Sequence, residues 1–469
     1  MRRALVMILF ILLFLPVRSP ADALPQKSQP VPDVDPVMEQ FDDALPEIRA
    51  EEERIAARKN LPCVYILTEN RQAVLSGDEY VPAVVDVFNC DPSMVLTAPG
   101  GLKVRGNSTA DQGDEKPYRI KFLQKQNLLG LHEGKKYKSW VLMRSYWNLV
   151  PDYTGFQLAR TIFEGKYYVS DSVYVNLYLN GSYCGLYLLC EQNQAAKGRV
   201  EVHQPKAGDA SLLTGYLIEL DNYPSDEHPH FLLEHEKATV KDIAGTEREM
   251  SPADYSIKSD INTTEQVEFI HRYTEGVFRI LFEAAEHGLA MGFDEGWQVA
   301  SAERLTPREA VEKVINTDSL ACMLILDELV HDNDVGEGSF FMAVDFTADS
   351  LYPRLTFLAP WDFNWGYEEP SDGGYYASTF QPVKMEYDRS NVWYILAMKM
   401  DWFREQVMEK WAALSSSGAL TETTARIEMT RLSLQPELET DGWRFYSAGD
   451  LIRFVNGRIA WLNRQWLKD

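Results

Sequence analysis

Two short acidic runs hold the residues best suited to chemistry. His331-Asp332-Asn333-Asp334-Val335-Gly336-Glu337-Gly338-Ser339 follows an apolar helical stretch, and Trp361-Asp362-Phe363-Asn364-Trp365-Gly366 follows an apolar β stretch. Between them, Phe340–Val344 and Leu355–Leu358 read as the two strands of a hairpin. Two carboxylate loops separated by a hairpin can bring Asp334, or Asp332, close to Asp362. Phosphoryl transfer needs such a pair: one carboxylate orients the attacking hydroxyl, and the other holds Mg²⁺ on the phosphates. Acidic residues followed by glycine are also ordinary turns. An aspartate between two tryptophans is more specific, because apolar neighbours desolvate it and strengthen its field. Trp361 offers a flat face to a nucleotide base, or simply packs in the core.

A second group can meet phosphates. Leu102–Thr109 reads as a strand ending in a glycine turn with small hydroxyl residues, and Lys116–Phe122 reads as the next strand. Alternation puts Tyr118, Ile120 and Phe122 on one face, and Arg119 and Lys121 on the other. A glycine turn beside cationic strand residues can cradle phosphates, with Arg105 near the turn and Lys121 as a point charge. The ordinary alternative is a solvated strand face.

The elements that must position these residues follow from periodicity. Residues 24–59 read as a proline-rich linker and a charged, solvated helix, and residues 60–192 as a β-rich lobe. Within that lobe Val173–Glu191 is the clearest hairpin, turning at Asn180-Gly181, and Tyr153–Phe163 is an accompanying helix. Residues 193–469 read as mainly helical, with Thr264–His287, Pro307–His331, Asn391–Leu414 and Asp450–Trp466 at helical spacing and Thr306 as an N-cap. The fold class is α+β.

The 46 Lys and Arg against 70 Asp and Glu give a net charge of −24. Such a surface disfavours nucleic acid and anionic membrane, and suits divalent cations or a basic protein partner. Arg2 and Arg3, the apolar run Ala4–Val17 and Ala21-Asp22-Ala23 read as a signal peptide over residues 1–23. This predicts an exported protein, secreted, periplasmic or at the cell surface, with no stable membrane span after cleavage. Of the five cysteines, Cys63 and Cys90 are the best-placed pair for a bridge.

The blocks RGNST (105–109), KPYRIKF (116–122), VNLYLNGSYCGLYLLCEQ (175–192), GYLIELD (215–221), YSIKSD (255–260), ELVHDND (328–334) and PWDFNWG (360–366) together resemble the CotH family, spore-coat-type atypical protein kinases. The resemblance runs over roughly residues 60–410. It implies a divergent two-lobed protein-kinase-like fold, with a β-rich N-lobe and a helical C-lobe, that binds ATP with Mg²⁺ or Mn²⁺ and phosphorylates serines of partner proteins. By the same resemblance Leu188–Gln192, with Cys190 and Glu191, is similar to the hinge that meets adenine, and Lys121 to the phosphate-binding lysine. Asp334 falls at the catalytic aspartate, with Asp332 as a substitute, and Asp362 at the metal-binding one. An ordinary kinase has a metal-binding asparagine where this chain has Ser339, so a second metal would use Ser339 or Asn333, or be absent. No acidic partner for Lys121 stands out in the Tyr153–Phe163 helix; Glu191 is an alternative anchor.

Three activities are compatible with these residues: transfer of the ATP γ-phosphate to Ser or Thr, a catalytically silent envelope or cell-surface binding module on the same fold, and a metal-dependent nucleotidyl transferase or hydrolase.

Overall fold

The computed structural model describes residues 30–467, except 107–109, 111–115, 145–149, 223, 225–227, 333, 368–369, 383–388 and 441–447. The expected signal peptide, the hydroxyl residues Asn107, Ser108 and Thr109, and Asn333 lie outside the described residues.

The chain is α+β, β-rich towards its N-terminus and helical towards its C-terminus. The β-rich part is a closed barrel rather than an open sheet. Its strands are β1 (Cys63–Thr68), β2 (Val81–Phe88), β3 (Leu96–Val104), β4 (Tyr118–Gln126), β5 (Tyr137–Met143), β6 (Ser172–Leu179) and β7 (Ser182–Glu191), in the order 1-2-3-4-5-7-6. All pairings are antiparallel except β1 with β6, whose parallel register, Cys63 opposite Asn176, closes the ring. Closure removes both sheet edges. The β6–β7 turn is Asn180-Gly181, with φ of 56° and 88°, the positive angles that an Asn-Gly dipeptide tolerates.

Strand β7 explains its own sequence. Tyr187 and Leu189 fill the barrel, whereas Leu186, Leu188 and Cys190 point outward into the core shared with the helices. Apolar on both faces, it reads as an unbroken run. Helix α1 (Asp35–Ala56) is not a solvated lead-in: Val37, Phe41, Ile48 and Ile55 cover Tyr65, Leu67 and Phe88 on another outer flank of the barrel. Arg49 pins the helix to the buried Asp86 at 2.8 Å. Cys63 lies in that layer and Cys90 packs against the barrel interior, so the two thiols face different cores and all five cysteines are free.

Helix α2 (Val150–Phe163) connects β5 to β6. The C-terminal part contains more β structure than its helical periodicity suggests. Strands β8 (Gly215–Leu220), β9 (His230–Leu233), β12 (Ala253–Ile257), β15 (Phe340–Asp345) and β16 (Thr356–Phe357) form one sheet in the order 16-15-8-12-9. Two small hairpins, β10–β11 (Thr239–Lys241, Glu247–Glu249) and β13–β14 (Met291–Phe293, Val299–Ser301), flank it. Around the sheet pack α3 (Thr264–Phe282), α4 (Pro307–Val314), α5 (Thr317–Val330) and α6 (Val392–Ala397), while α7 (Asp401–Ser417), α8 (Ala419–Thr440) and α9 (Ala448–Trp466) pack on one another and on α2 and α5. The long Pro307–His331 pattern is thus two helices, broken where Asn316 caps the second by accepting from Ser319 N. Thr306 caps α4 with a reciprocal bond to Glu309. No described helix is long and apolar enough to cross a membrane.

Candidate active site

Helix α5 delivers the first acidic loop. It is buried over nearly its whole length and ends at His331, which takes a left-handed conformation with φ 52°. The loop winds tightly, with Glu337 N and Gly338 N donating to Asp334 O at 2.7 and 2.8 Å and Asp334 N to Asp332 Oδ1 at 2.9 Å. The hairpin β15–β16 then leads to the second loop. Tyr367 N donates to Val330 O at 2.6 Å, so the end of one acidic loop is tied to the start of the other. Positive φ recurs at His331, Ser339, Ala359, Asp362 and Tyr367. Five non-glycine residues in this region represent stored strain of the kind that clusters at functional sites.

The second loop is seated on α2. Phe363 N donates to Asp152 Oδ1 at 2.9 Å. A Cβ at Gly155 would lie 2.2 Å from the Phe363 ring, so glycine is needed for that ring to reach the helix. Phe156 completes the seat, edge-on to Phe363 at 5.8 Å and 5.6 Å from Trp361. One face of α2 thereby positions the backbone around Asp362.

Electrostatics link the pieces. Burial raises the Asp334 carboxyl to about 9, with Asp332 and Asp362 adding to the rise. Burial raises Asp152 to about 8, with Asp362 adding and Arg105 opposing. Asp332 is pushed well above the carboxylate range by burial, Asp327, Asp362 and Asp152. Burial also raises Asp362, against the pull of Arg105. Four acids and one guanidinium therefore share a poorly solvated volume in which not all the acids can ionise cheaply. Asp152 and Asp332 are buried, whereas Arg105, Asp334, Ser339 and Asp362 keep some exposure to solvent.

This arrangement suits a divalent cation. Asp152 Oδ2 is buried without a hydrogen-bond partner, and the mutual repulsion is what a bound cation relieves. Among the described residues no three His, Cys, Asp or Glu side chains form a ready-made ion site. Mg²⁺ bound with phosphates uses one or two carboxylates and does not need such a cage. Asp362 and Asp334 are the partly open donors; Ser339 sits at the head of β15, also partly open.

Of the predicted cations, Arg105 is the one that acts on Asp362 and Asp152. It lies over the Trp361 ring at 5.5 Å. Trp361 is buried between Arg105 and Phe156, so it holds the guanidinium instead of presenting an open face to a base. Lys121 lies with Lys103 over the Tyr80 ring, at 5.5 and 5.2 Å.

The hinge segment differs from the expectation in one respect. Leu188, Leu189 and Cys190 are paired with β5 on one side and β6 on the other, so the ladder uses their backbone groups. Glu191 is a structural anchor: fully buried, it accepts from Arg199 Nε at 3.2 Å and Asp171 N at 3.1 Å, and its Oε2 lies 2.8 Å from His132 Nδ1.

Sequence reasoning missed Asp152, one residue before the helix pattern it recognised, and the trio Lys258, Glu219 and Asp221. Lys258 bridges the two carboxylates at 2.8 and 3.3 Å, and Glu219 feels Arg105. Their signal was present in two quoted blocks, where a charge interrupts each strand pattern: Glu219 in GYLIELD and Lys258 in YSIKSD.

Part of the chain is similar to a known protein family. Residues 102–279 match the family described as CotH kinase protein. The match spans β4 to β12 and most of α3, including the cationic strands, the Asp152 helix and the Lys258 trio, and it ends before both acidic loops. No curated protein matches the chain. The match of this stretch to a CotH kinase model is consistent with a kinase-like function.

Proposed function

We propose that the chain is an exported, ATP-dependent Ser/Thr protein kinase of the CotH type, built as a two-lobed kinase-like fold with the barrel as its N-lobe. The observation that carries this reading is the meeting of Asp334 and Asp362 in one field, from loops tied together at Val330 and Tyr367. In its ionised form Asp334 orients the acceptor hydroxyl and takes its proton. Asp332 braces that loop through Asp334 N. Asp362, with Asp334 beside it, would hold Mg²⁺ or Mn²⁺, which supplies charge neutralisation on the triphosphate. Arg105, propped on Trp361, faces the same phosphates. The net charge of −24 favours a basic acceptor.

The test is transfer of labelled γ-phosphate to a Lys/Arg-rich Ser peptide with Mn²⁺, comparing wild type with Asp362→Ala and Asp334→Asn. Incorporation that both substitutions abolish is the expected result. Equal incorporation in all three, or none in the wild type, defeats the proposal. Ser339 at the second metal position favours the silent binding module as the alternative; under that reading nucleotide and Mn²⁺ leave the melting temperature unchanged.

A further inference from the structure

A cavity of about 320 Å³ adjoins the Asp334 loop at Gly336. Its apolar wall is Leu220, Ala253 and Val392, all buried. Gly336, two residues after Asp334, closes one side, and Asn222 and Asp254 supply polar groups. The cavity shares its supports with the loop. Asn222 N donates to Glu337 O at 2.9 Å, and Asn391 Nδ2, from the residue before Val392, donates to Val335 O at 2.8 Å. Whatever fills this space therefore touches the residues that clamp the loop carrying Asp334.

The lining selects the occupant. A short apolar sleeve with a carboxylate accommodates the alkyl stem and charged head of Lys or Arg. The Asp254 side chain is 33% exposed, and its Oδ1 lies at a long 3.4 Å from Nδ1 of the half-exposed His230. His235 also lines the cavity but offers no competing charge. Its Nδ1 is 2.8 Å from Ser251 O, its Nε2 is 3.0 Å from Tyr255 OH, and burial lowers it to about 4. Glu337, just beyond Gly336, is already paired with Arg389 at 2.7 Å, which leaves Asp254, among the described residues that line the cavity, as the carboxylate available to an incoming cation.

We infer that this cavity is an acceptor subsite, in which Asp254 binds a basic side chain a few residues from the serine presented to Asp334. The inference rests on the kinase reading for what the neighbouring loop does, but the binding itself needs neither ATP nor metal.

The test uses the full chain and fluorescent peptides containing one serine, with Lys, Ala or Glu scanned through the flanking positions. Anisotropy without nucleotide reads binding, and labelled transfer is measured separately. At one offset the Lys peptide should bind about 5- to 10-fold more tightly than the Ala peptide. Asp254→Asn should erase that preference, and Asp254→Lys should reverse it in favour of the Glu peptide. Asp254 is a partly exposed rim residue, so both variants should fold as wild type does. Transfer without discrimination among the peptides, or discrimination unchanged in Asp254→Asn, overturns the subsite and leaves the kinase reading intact. Asp254-dependent discrimination without transfer supports the subsite and counts against the kinase.

Discussion

Asp152 accepts the backbone N–H of Phe363 across 211 residues of chain, which makes the helix that links β5 to β6 a support for the loop that carries Asp362. Asp152→Ala leaves that amide buried and unsatisfied, at a cost of about 1–3 kcal/mol. Asp152→Asn keeps an acceptor and removes one of the crowded charges. Denaturant titration should show the alanine variant clearly destabilised and the asparagine variant near or above wild type.

Gly155→Ala places a methyl into the Phe363 ring. Overpacking of this kind costs about 1–3 kcal/mol. The loss of phosphotransfer should exceed the loss of stability, because the displaced ring belongs to the residue after Asp362. Intact activity in a destabilised variant would count against α2 as the seat of the loop.

The raised carboxyls predict an unusual pH profile. Asp152 and Asp334 are raised from 3.8 to about 8 and about 9, so between those limits the folded state holds protons that the unfolded state has released. Stability from these groups is present below the unfolded value of 3.8 and is lost as pH rises through the folded values. Metal-free protein should therefore lose stability from about pH 5 to pH 9, and Asp334→Asn should flatten the decline. Mn²⁺ competes with those protons, so its stabilisation should be larger at about pH 8.5 than at about pH 5.5.

Arg105 and Lys121 should separate by kinetics. Arg105→Met removes the cation that acts on Asp362, and should lower phosphotransfer by about 10-fold or more, on the scale of a charge-assisted bond of about 1.5–3 kcal/mol. Lys121→Met, over Tyr80, should have the smaller effect. Equal effects would place both cations on the phosphates.

Arg458 of α9 donates to Glu328 at 2.7 Å with both side chains fully buried, and Glu328 also receives Tyr376 N, Ser378 N and Ser378 Oγ. Removing one member of such a pair strands the other charge, at about 3–5 kcal/mol. Arg458→Met should lower the melting temperature sharply, and the loss should be much smaller when Glu328→Gln is added.

By itself the sequence determined the local features: the Asn-Gly hairpin, the Thr306 cap, the alternation along β4, and the two acidic loops flanking a hairpin. Each depends on residues within a few positions of one another, where backbone preference and burial period act directly. Tertiary structure alone decided that the strands close through the parallel β1–β6 pairing, that Trp361 supports Arg105, that Cys63 and Cys90 face different cores, and that Asp152 completes the acidic group. Those outcomes join segments tens to hundreds of residues apart. A residue type reveals how readily it is buried or charged, but the partner it meets is fixed only when the whole chain has packed.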